Sequence, residues 1–118
     1  MRLRTAALGL ALALMTVGAP AASFATAPST ATLTLILSNH RFTPALANVR
    51  AGERIQIELI NQDAATEEFD SHDLQVEQLV TPHGHVRFTI GPLRPGRYAF
   101  MGEFHPETAQ GLMVAADQ

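Results

Sequence analysis

Cysteine, lysine and tryptophan are all missing from the 118 residues of this chain, and tyrosine occurs once. Without cysteine the chain forms no disulfide and offers neither a nucleophilic thiol nor a thiolate metal ligand. Whatever chemistry it performs must use nitrogen and oxygen ligands, or no metal. The motifs Gly-x-Ser-x-Gly, His-Glu-x-x-His and the phosphate loop are also absent. No catalytic residue can be assigned from these patterns.

The first 27 residues have the organisation of a secretory signal peptide. A short basic start, Met1–Arg4, precedes an apolar run, Ala6–Val17, and small residues then continue to Pro28. We therefore expect residues 1–27 to be a signal peptide cleaved between 21 and 27. Residues 28–118 would then form one periplasmic domain, and no lipid anchor is evident. The alternative is an uncleaved membrane anchor, which the shortness of the apolar run disfavours.

The predicted mature domain is acidic. Six arginines remain against eleven acidic residues, a net charge near −5. Nucleic acids and anionic membranes attract the opposite sign of charge, so we predict no nucleic-acid partner. Cations and cationic proteins are the partners that this charge favours.

Alternating hydrophobic and polar residues predict an all-β fold. The alternation is clearest in 32–37, 54–59 and 86–90, and turn-forming Gly, Pro, Asn and Asp residues separate these runs. Strands with one polar face are typical of antiparallel sheets. We expect a Greek-key β-sandwich of about seven strands, without a substantial helix.

Four motifs, in order, resemble those of cupredoxins. They are Asn39–Pro44, Ala51–Glu53 followed by Asn61, Gly91–Tyr98, and Tyr98–Phe104 followed by His105 and Gly111. In a blue-copper cupredoxin the last of these motifs supplies a cysteine, a histidine and a methionine. Here Gly102 stands at the cysteine position and Ala109 at the methionine position, so a blue-copper thiolate site is not expected.

Three motifs together resemble one subgroup more closely: Glu68-Phe69-Asp70-Ser71, His40-Arg41-Phe42-Thr43-Pro44 and Gly102-Glu103-Phe104-His105. Its members are periplasmic cupredoxin-like subunits that accompany bacterial ferrous-iron permeases. The resemblance implies a bound copper or iron ion and a role in a ferroxidase-type redox step. It also implies partnership with an iron permease or other periplasmic iron-uptake components.

Three histidines are candidate metal ligands. His105 follows a predicted strand three residues after the cysteine-equivalent position, and a neutral imidazole is a good ligand for copper or iron. The resemblance aligns His72 with the first copper histidine of ordinary cupredoxins. His40 would reach the same end of the sandwich only if its segment folds back. A loop-capping or surface role is the alternative for each.

Carboxylates complete the predicted ligand set. Glu68 and Asp70 flank Phe69, so in a strand both would share one face while the phenyl ring lies in the core. Glu103 neighbours the cysteine-equivalent position, and its alternative role is an ion pair with Arg41 or Arg97. The alternative for the acidic run is a solvated loop, and Glu67 is expected to be solvated.

Four further residues have side chains that can bind metal, but we do not expect them to be ligands. His83 and His85 flank Gly84 in a predicted surface turn, and Met101 and Met113 are predicted to fill the core. Three functions remain open: a metal-binding redox protein for ferrous-iron import, a copper carrier or storage protein that uses methionine, and a metal-free adaptor module.

Overall fold

The computed structural model describes residues 2–3, 9–25 and 29–117. Parts of the predicted signal peptide, including Arg4 and the cleavage positions 26 and 27, lie outside these ranges. Residues 9–25 contain neither helix nor strand and are exposed. No helix that is long and apolar enough to span a membrane occurs in the part of the chain that the structure describes. The signal peptide stays a prediction.

Residues 29–117 form nine strands and contain no helix. The strands are β1 (Thr30–Ser38), β2 (Arg41–Thr43), β3 (Leu46–Arg50), β4 (Arg54–Asn61), β5 (Glu67–Ser71), β6 (Val76–Val80), β7 (His85–Ile90), β8 (Gly96–Gly102) and β9 (Gln110–Ala116). The all-β, single-domain sandwich expected from the sequence is confirmed, with nine strands rather than about seven.

Two sheets face each other across the core. The four-stranded sheet has the order β2-β1-β4-β7, and the five-stranded sheet has the order β3-β9-β8-β5-β6. Both sheets are mixed, because β1 pairs with β4 and β3 pairs with β9 in parallel, whereas the other pairings are antiparallel. The expectation of purely antiparallel strands is therefore wrong. In each parallel pair the chain crosses between the sheets before it returns, so no tight hairpin joins the two strands.

The core lies between the inward faces of the strands. Phe69 packs on Phe100 with ring centroids 5.1 Å apart, and Phe42 meets Phe100 edge-on at 5.2 Å. Met113 is fully buried among them, as predicted, whereas Met101 faces outward with 41% of its surface exposed. The prediction of a core role for Met101 is wrong because β8 places Phe100, and not its neighbour, on the inner face.

A buried asparagine shapes the loop between β4 and β5. The side-chain amide of Asn61 donates to the carbonyls of Ala65 (2.8 Å) and Thr81 (3.0 Å), and its oxygen accepts the N–H of Asp63 (3.0 Å). Burying an amide is favourable only when it is hydrogen-bonded, as it is here. These bonds fix Asp63 at the end of the sandwich where the β1–β2 turn lies.

Candidate metal centre

A buried carboxylate, Glu67, lies at the centre of the candidate site. Glu67 opens β5, in which alternate side chains face inward, and only 1% of its surface is exposed. Its Oε1 accepts the backbone N–H groups of Phe104 (2.8 Å) and Glu68 (3.0 Å), and its Oε2 lies 2.6 Å from Nδ1 of His105. When the carboxylate is ionised it can only accept, and Nδ1 of His105 is then the donor of this contact. These three contacts offset the cost of burying the charge.

The Glu67 carboxylate occupies space that two small residues leave open. A Cβ atom on Gly102 would lie 2.7 Å from Cδ of Glu67 and 2.7 Å from Cβ of Ala109, closer than real Cβ contacts. Any side chain at position 102 would therefore collide with Glu67. Gly102 faces inward beside His105, as the sequence predicted for the cysteine-equivalent position. A carboxylate thus fills the volume into which a side chain at that position would project.

His105 is held by a compact loop between β8 and β9. The carbonyl of His105 accepts the N–H of Ala109 at 2.8 Å and that of Thr108 at 3.2 Å, and the N–H of Gly102 reaches the carbonyl of Ala109 at 2.8 Å. The imidazole remains 30% exposed. Solvent and a dissolved ion can therefore reach one side of the ring while Glu67 holds the other.

His40 reaches the same end of the sandwich through a two-residue hairpin turn. Asn39 and His40 both have positive φ (52° and 56°), the conformation of the tight hairpin that joins β1 to β2. Asp63 accepts both backbone N–H groups, at 2.7 and 2.9 Å. The imidazoles of His40 and His105 are stacked, with centroids 3.6 Å apart and an interplanar angle of 11°. The chain therefore folds back, as a role for His40 required.

Asp63 supports His40 electrostatically as well as sterically. Its Oδ2 lies 3.5 Å from Nδ1 of His40. Burial raises the pKa of Asp63, but the N–H donors of His40 and Asn39 and the nearby imidazoles of His40 and His105 outweigh it, so the pKa is lowered. A carboxylate that stays ionised fixes the turn and favours a cation beside it.

His40, Glu67 and His105 are brought together as a possible ligand set. One ligand atom from each of the three lies within 4.8 Å of the other two. Two imidazoles and one carboxylate suit ferrous iron, and imidazole also suits copper and zinc. The residues therefore fit a copper or iron ion, whereas a blue-copper thiolate centre is excluded by the lack of cysteine.

The other predicted ligands lie elsewhere. Glu68 and Asp70 are half-buried and face outward from β5, as expected for residues that flank Phe69. His72 is exposed in the turn after β5, five residues from Glu67 and so about 16 Å along the chain. Glu103 is exposed and, within residues 29–117, makes no ion pair with Arg41 or Arg97. His83 and His85 are exposed, as expected.

The expectation that Glu67 is solvated is wrong, and Glu67 takes the place beside His105 that was predicted for Glu68. The inward orientation of Glu67 could have been predicted from the alternation of side chains along a strand. If Phe69 lies in the core, then Glu67, two residues earlier, faces the core too. Charge argued against that placement, because a buried carboxylate is costly unless it has a partner. The partner, His105, comes 38 residues later in the chain.

Glu68 instead belongs to an acidic outer surface. Burial is the first cause that raises its pKa above the ordinary value of 4.5, followed by the negative charges of Glu103, Glu77, Asp70 and Glu67. The charged form is therefore less favourable in the folded protein than in the unfolded one.

Replacing Glu68 with glutamine is expected to stabilise the domain near neutral pH. Because its pKa is raised on folding, the native state holds this proton more tightly, and stability falls as pH rises from 4.5 through the raised pKa. Thermal melts of wild type and Glu68→Gln should therefore differ at about pH 7 and converge at about pH 3.5. An equal difference at both pH values would contradict the electrostatic origin.

Comparison with known proteins agrees with this architecture. Residues 6–115 match the model of the cupredoxin-like domain family, so the chain belongs to that family. A protein of Rickettsia prowazekii (strain Madrid E), itself described as uncharacterized, is 37% identical over 83 residues. That match covers 70% of this chain and 66% of the relative, so the chain spans slightly less than two thirds of the relative's length.

Solved copper proteins share the fold. Auracyanin A, a "blue" copper protein from Chloroflexus aurantiacus, has a TM-score of 0.65 and 15% identity, covering 75% of this chain and all of its own. The metal-binding domain of the Cu(I)-exporting P-type ATPase CopA of Streptococcus pneumoniae D39 has a TM-score of 0.65 and 10% identity, over 79% of this chain and 92% of that domain. At these identities the likeness defines the fold. The family supports a metal-binding role.

Proposed function

We propose that this protein is a periplasmic metal-binding cupredoxin-like protein that assists the oxidation of ferrous iron and its uptake by an iron permease. The observation that carries the proposal is the buried Glu67 carboxylate, which contacts His105 and is grouped with His40, beside the position that holds a thiolate in blue-copper cupredoxins. A carboxylate is a harder ligand than a thiolate and suits iron better. The resemblance to permease-associated subunits supports the iron-uptake role, and the apparent leader supports the periplasm.

The residues at the site have separate roles in this proposal. Glu67 supplies the negative charge. Its Oε2 and Nδ1 of His105 are potential metal ligands that are now joined by a hydrogen bond. His40 supplies the second imidazole, held by Asp63. A bound Cu(II) ion would supply a one-electron acceptor for ferrous iron, whereas bound ferrous iron would itself be the substrate. The partly exposed rings, 41% for His40 and 30% for His105, leave a route for the ion to enter.

The uptake role is tested in the source organism under iron limitation. Deleting the gene is expected to reduce uptake of labelled ferrous iron severalfold, and the wild-type gene should restore uptake. His105→Ala, which removes one donor at the partly exposed ring, should not restore it although the protein accumulates normally in the periplasmic fraction. Unchanged uptake in the deletion strain, or a protein confined to the cytoplasmic fraction, would overturn the proposal.

A metal-free adaptor is the second candidate, and one observation favours it. Glu67 is already satisfied by His105 and two backbone N–H groups, and the His40 ring stacks on His105. A site of this kind is stable without an ion. The copper-carrier alternative is less well supported, because Met113 is buried in the core and Met101 faces outward from the strand that turns Gly102 inward.

A further inference from the structure

The outer faces of the two sheets differ in character. Within residues 29–117 the large apolar side chains that stay exposed are Leu46, Leu79, Met101 and Phe104. The first three lie on the outer face of the five-stranded sheet, and the fourth follows β8 in the same sheet. Single exposed apolar residues are ordinary, so these four alone define no interaction surface, and their restriction to one side of the sandwich is informative only together with the cavity and the charges on that side.

The four-stranded sheet provides the comparison. Its outer face carries threonines along β1, the cross-strand pair Gln56 and Thr89, the ion pair between Glu58 and Arg87 at 3.3 Å, and a half-buried apolar pair, Ile36 and Ile60. The polar residues among them are typical of a solvated sheet. The large apolar side chains on this face are half-buried, whereas those on the side of the five-stranded sheet are exposed.

A cavity lies in the outer face of the five-stranded sheet. β5 and β8 pair only at Phe69–Gly102 and Asp70–Met101. Beyond that point side-chain hydrogen bonds take the place of backbone pairing between β5 and β8. The hydroxyl of Ser71 donates to the carbonyl of Ala99 at 2.6 Å, and the carboxylate of Asp73 accepts the N–H of Ala99 at 2.9 Å. The strands separate there and leave a space of about 340 Å³, whose lining includes Asp70, Asp73, Ala99, Met101, Pro106 and Gln110.

Carboxylates outnumber the basic groups around the cavity: His72 is part of its lining, and Arg97 lies on the same outer face of β8, two residues before Ala99. Asp70 lies opposite Glu77 on the neighbouring strand, and Glu68 and Glu103 lie beside them. Like charges opposite each other destabilise a sheet. None of these four carboxylates forms an ion pair with an arginine within residues 29–117. Stability of the isolated domain therefore does not explain the arrangement, whereas a cationic partner would.

We propose that this face docks a partner protein that inserts an arginine side chain into the cavity between β5 and β8. The methylene stem of an arginine would lie along Met101 and Pro106 while its guanidinium meets Asp70, a division of polar and apolar contacts that suits this side chain. Leu79 supplies apolar contact beside the cavity. A hydrated metal ion gains nothing from that apolar lining. The docking face uses neither His40, Glu67 nor His105, so it stands independently of the metal site.

The test is an NMR titration of the nitrogen-15-labelled full chain with the blocked peptide acetyl-Leu-Arg-Leu-Arg-Leu-amide. Amide shifts are expected to concentrate at Asp70, Ala99, Met101 and Gln110. The same peptide with citrulline in place of arginine is expected to bind at least about fivefold more weakly, because citrulline has the shape without the charge. Equal binding of both peptides, or shifts spread evenly over the surface, would overturn the proposal.

Two variants separate the cavity from general electrostatics. Ala99→Leu fills the cavity from an exposed position and leaves every carboxylate in place, so it should weaken the arginine peptide by about fivefold or more. Asp70→Asn should weaken it to a similar extent. Glu58→Gln, which makes the same change of net charge on the opposite sheet, should have little effect. If Glu58→Gln weakens binding as much as Asp70→Asn, the attraction is not specific to this face.

Two other occupants are distinguished in the same experiment. Calcium chloride that reproduces the shifts at Asp70 and Ala99 in the absence of peptide would identify an ion site and overturn the proposal. The unliganded chain could also sediment as a dimer. If Ala99→Leu converted that dimer to a monomer, a second copy of the chain would be the occupant, and the proposal would be overturned. A monomer that binds the arginine peptide at this face supports the proposal.

Discussion

Replacing Glu67 with glutamine is expected to weaken the binding of Cu(II) and of Fe(II) by roughly a hundredfold or more. The substitution removes the one buried anionic donor of the site, and loss of even an indirect supporting contact typically weakens a metal site tenfold to a hundredfold. Glutamine keeps the shape of the side chain, and its carbonyl oxygen can still accept the N–H groups of Phe104 and Glu68. Calorimetric titration, anaerobic for Fe(II), measures the change.

Glu68→Gln is the matched control for that experiment. It makes the same chemical change one residue away on the outer face of β5, so metal affinity is expected to stay within about twofold of wild type. Glu67→Ala is less informative, since it leaves the N–H groups of Phe104 and Glu68 without their acceptor, a destabilisation of about 1–3 kcal/mol. A loss of affinity in Glu68→Gln with none in Glu67→Gln would make Glu68 the carboxylate ligand, as the sequence first suggested.

The local pattern of the sequence contained much of the fold. Alternation in 32–37, 54–59 and 86–90 predicted parts of β1, β4 and β7, because a half-buried strand leaves a period-two pattern. The pairing of strands left no such trace. β1 and β4 lie in parallel with Leu35 beside Leu59, and this neighbourhood depends on how the chain crosses between sheets rather than on either segment.

The candidate site was predictable only in part, for a related reason. His105 was identified from its own motif, whereas Glu67 was expected to be solvated because acidic runs usually form solvated loops. The buried Glu67 carboxylate is tolerated because His105 contacts it and because Gly102 and Ala109 are small enough to leave it space. Strand alternation with Phe69 gave the correct orientation, and the average behaviour of acidic runs gave the wrong one. Local geometry was the better guide because the compensating partner is distant in sequence.

His40 shows the same dependence on distant residues. Its proximity to His105 requires the two-residue turn, and that turn is fixed by Asp63, which is itself positioned by Asn61. Asp63 follows Asn39 by 24 residues and His40 by 23, and neither contact leaves a periodic pattern in the sequence. The ligand set of the site thus depends on two loops and the start of β5 meeting at one end of the sandwich.

Introducing cysteine at position 102 is expected to create a thiolate copper centre only when Glu67 is shortened at the same time. In Gly102→Cys alone, the new Cβ would lie 2.7 Å from Cδ of Glu67 and 2.7 Å from Cβ of Ala109, and the thiol would need the space that the carboxylate fills. Overpacking of this kind costs about 1–3 kcal/mol, so the single variant should unfold at lower denaturant concentration and bind Cu(II) without intense visible absorption.

In the double variant Glu67→Ala/Gly102→Cys, the volume vacated by the carboxylate accepts the thiol beside His105 and His40. Two imidazoles and one thiolate form the donor set of blue-copper centres, so addition of Cu(II) should produce the intense visible absorption of copper–thiolate bonding. Glu67→Ala/Gly102→Ser, which has the same shape without sulfur, should remain nearly colourless. If Gly102→Cys with Glu67 intact were as stable as wild type and as strongly coloured as the double variant, the carboxylate would not occupy the space of the missing thiolate.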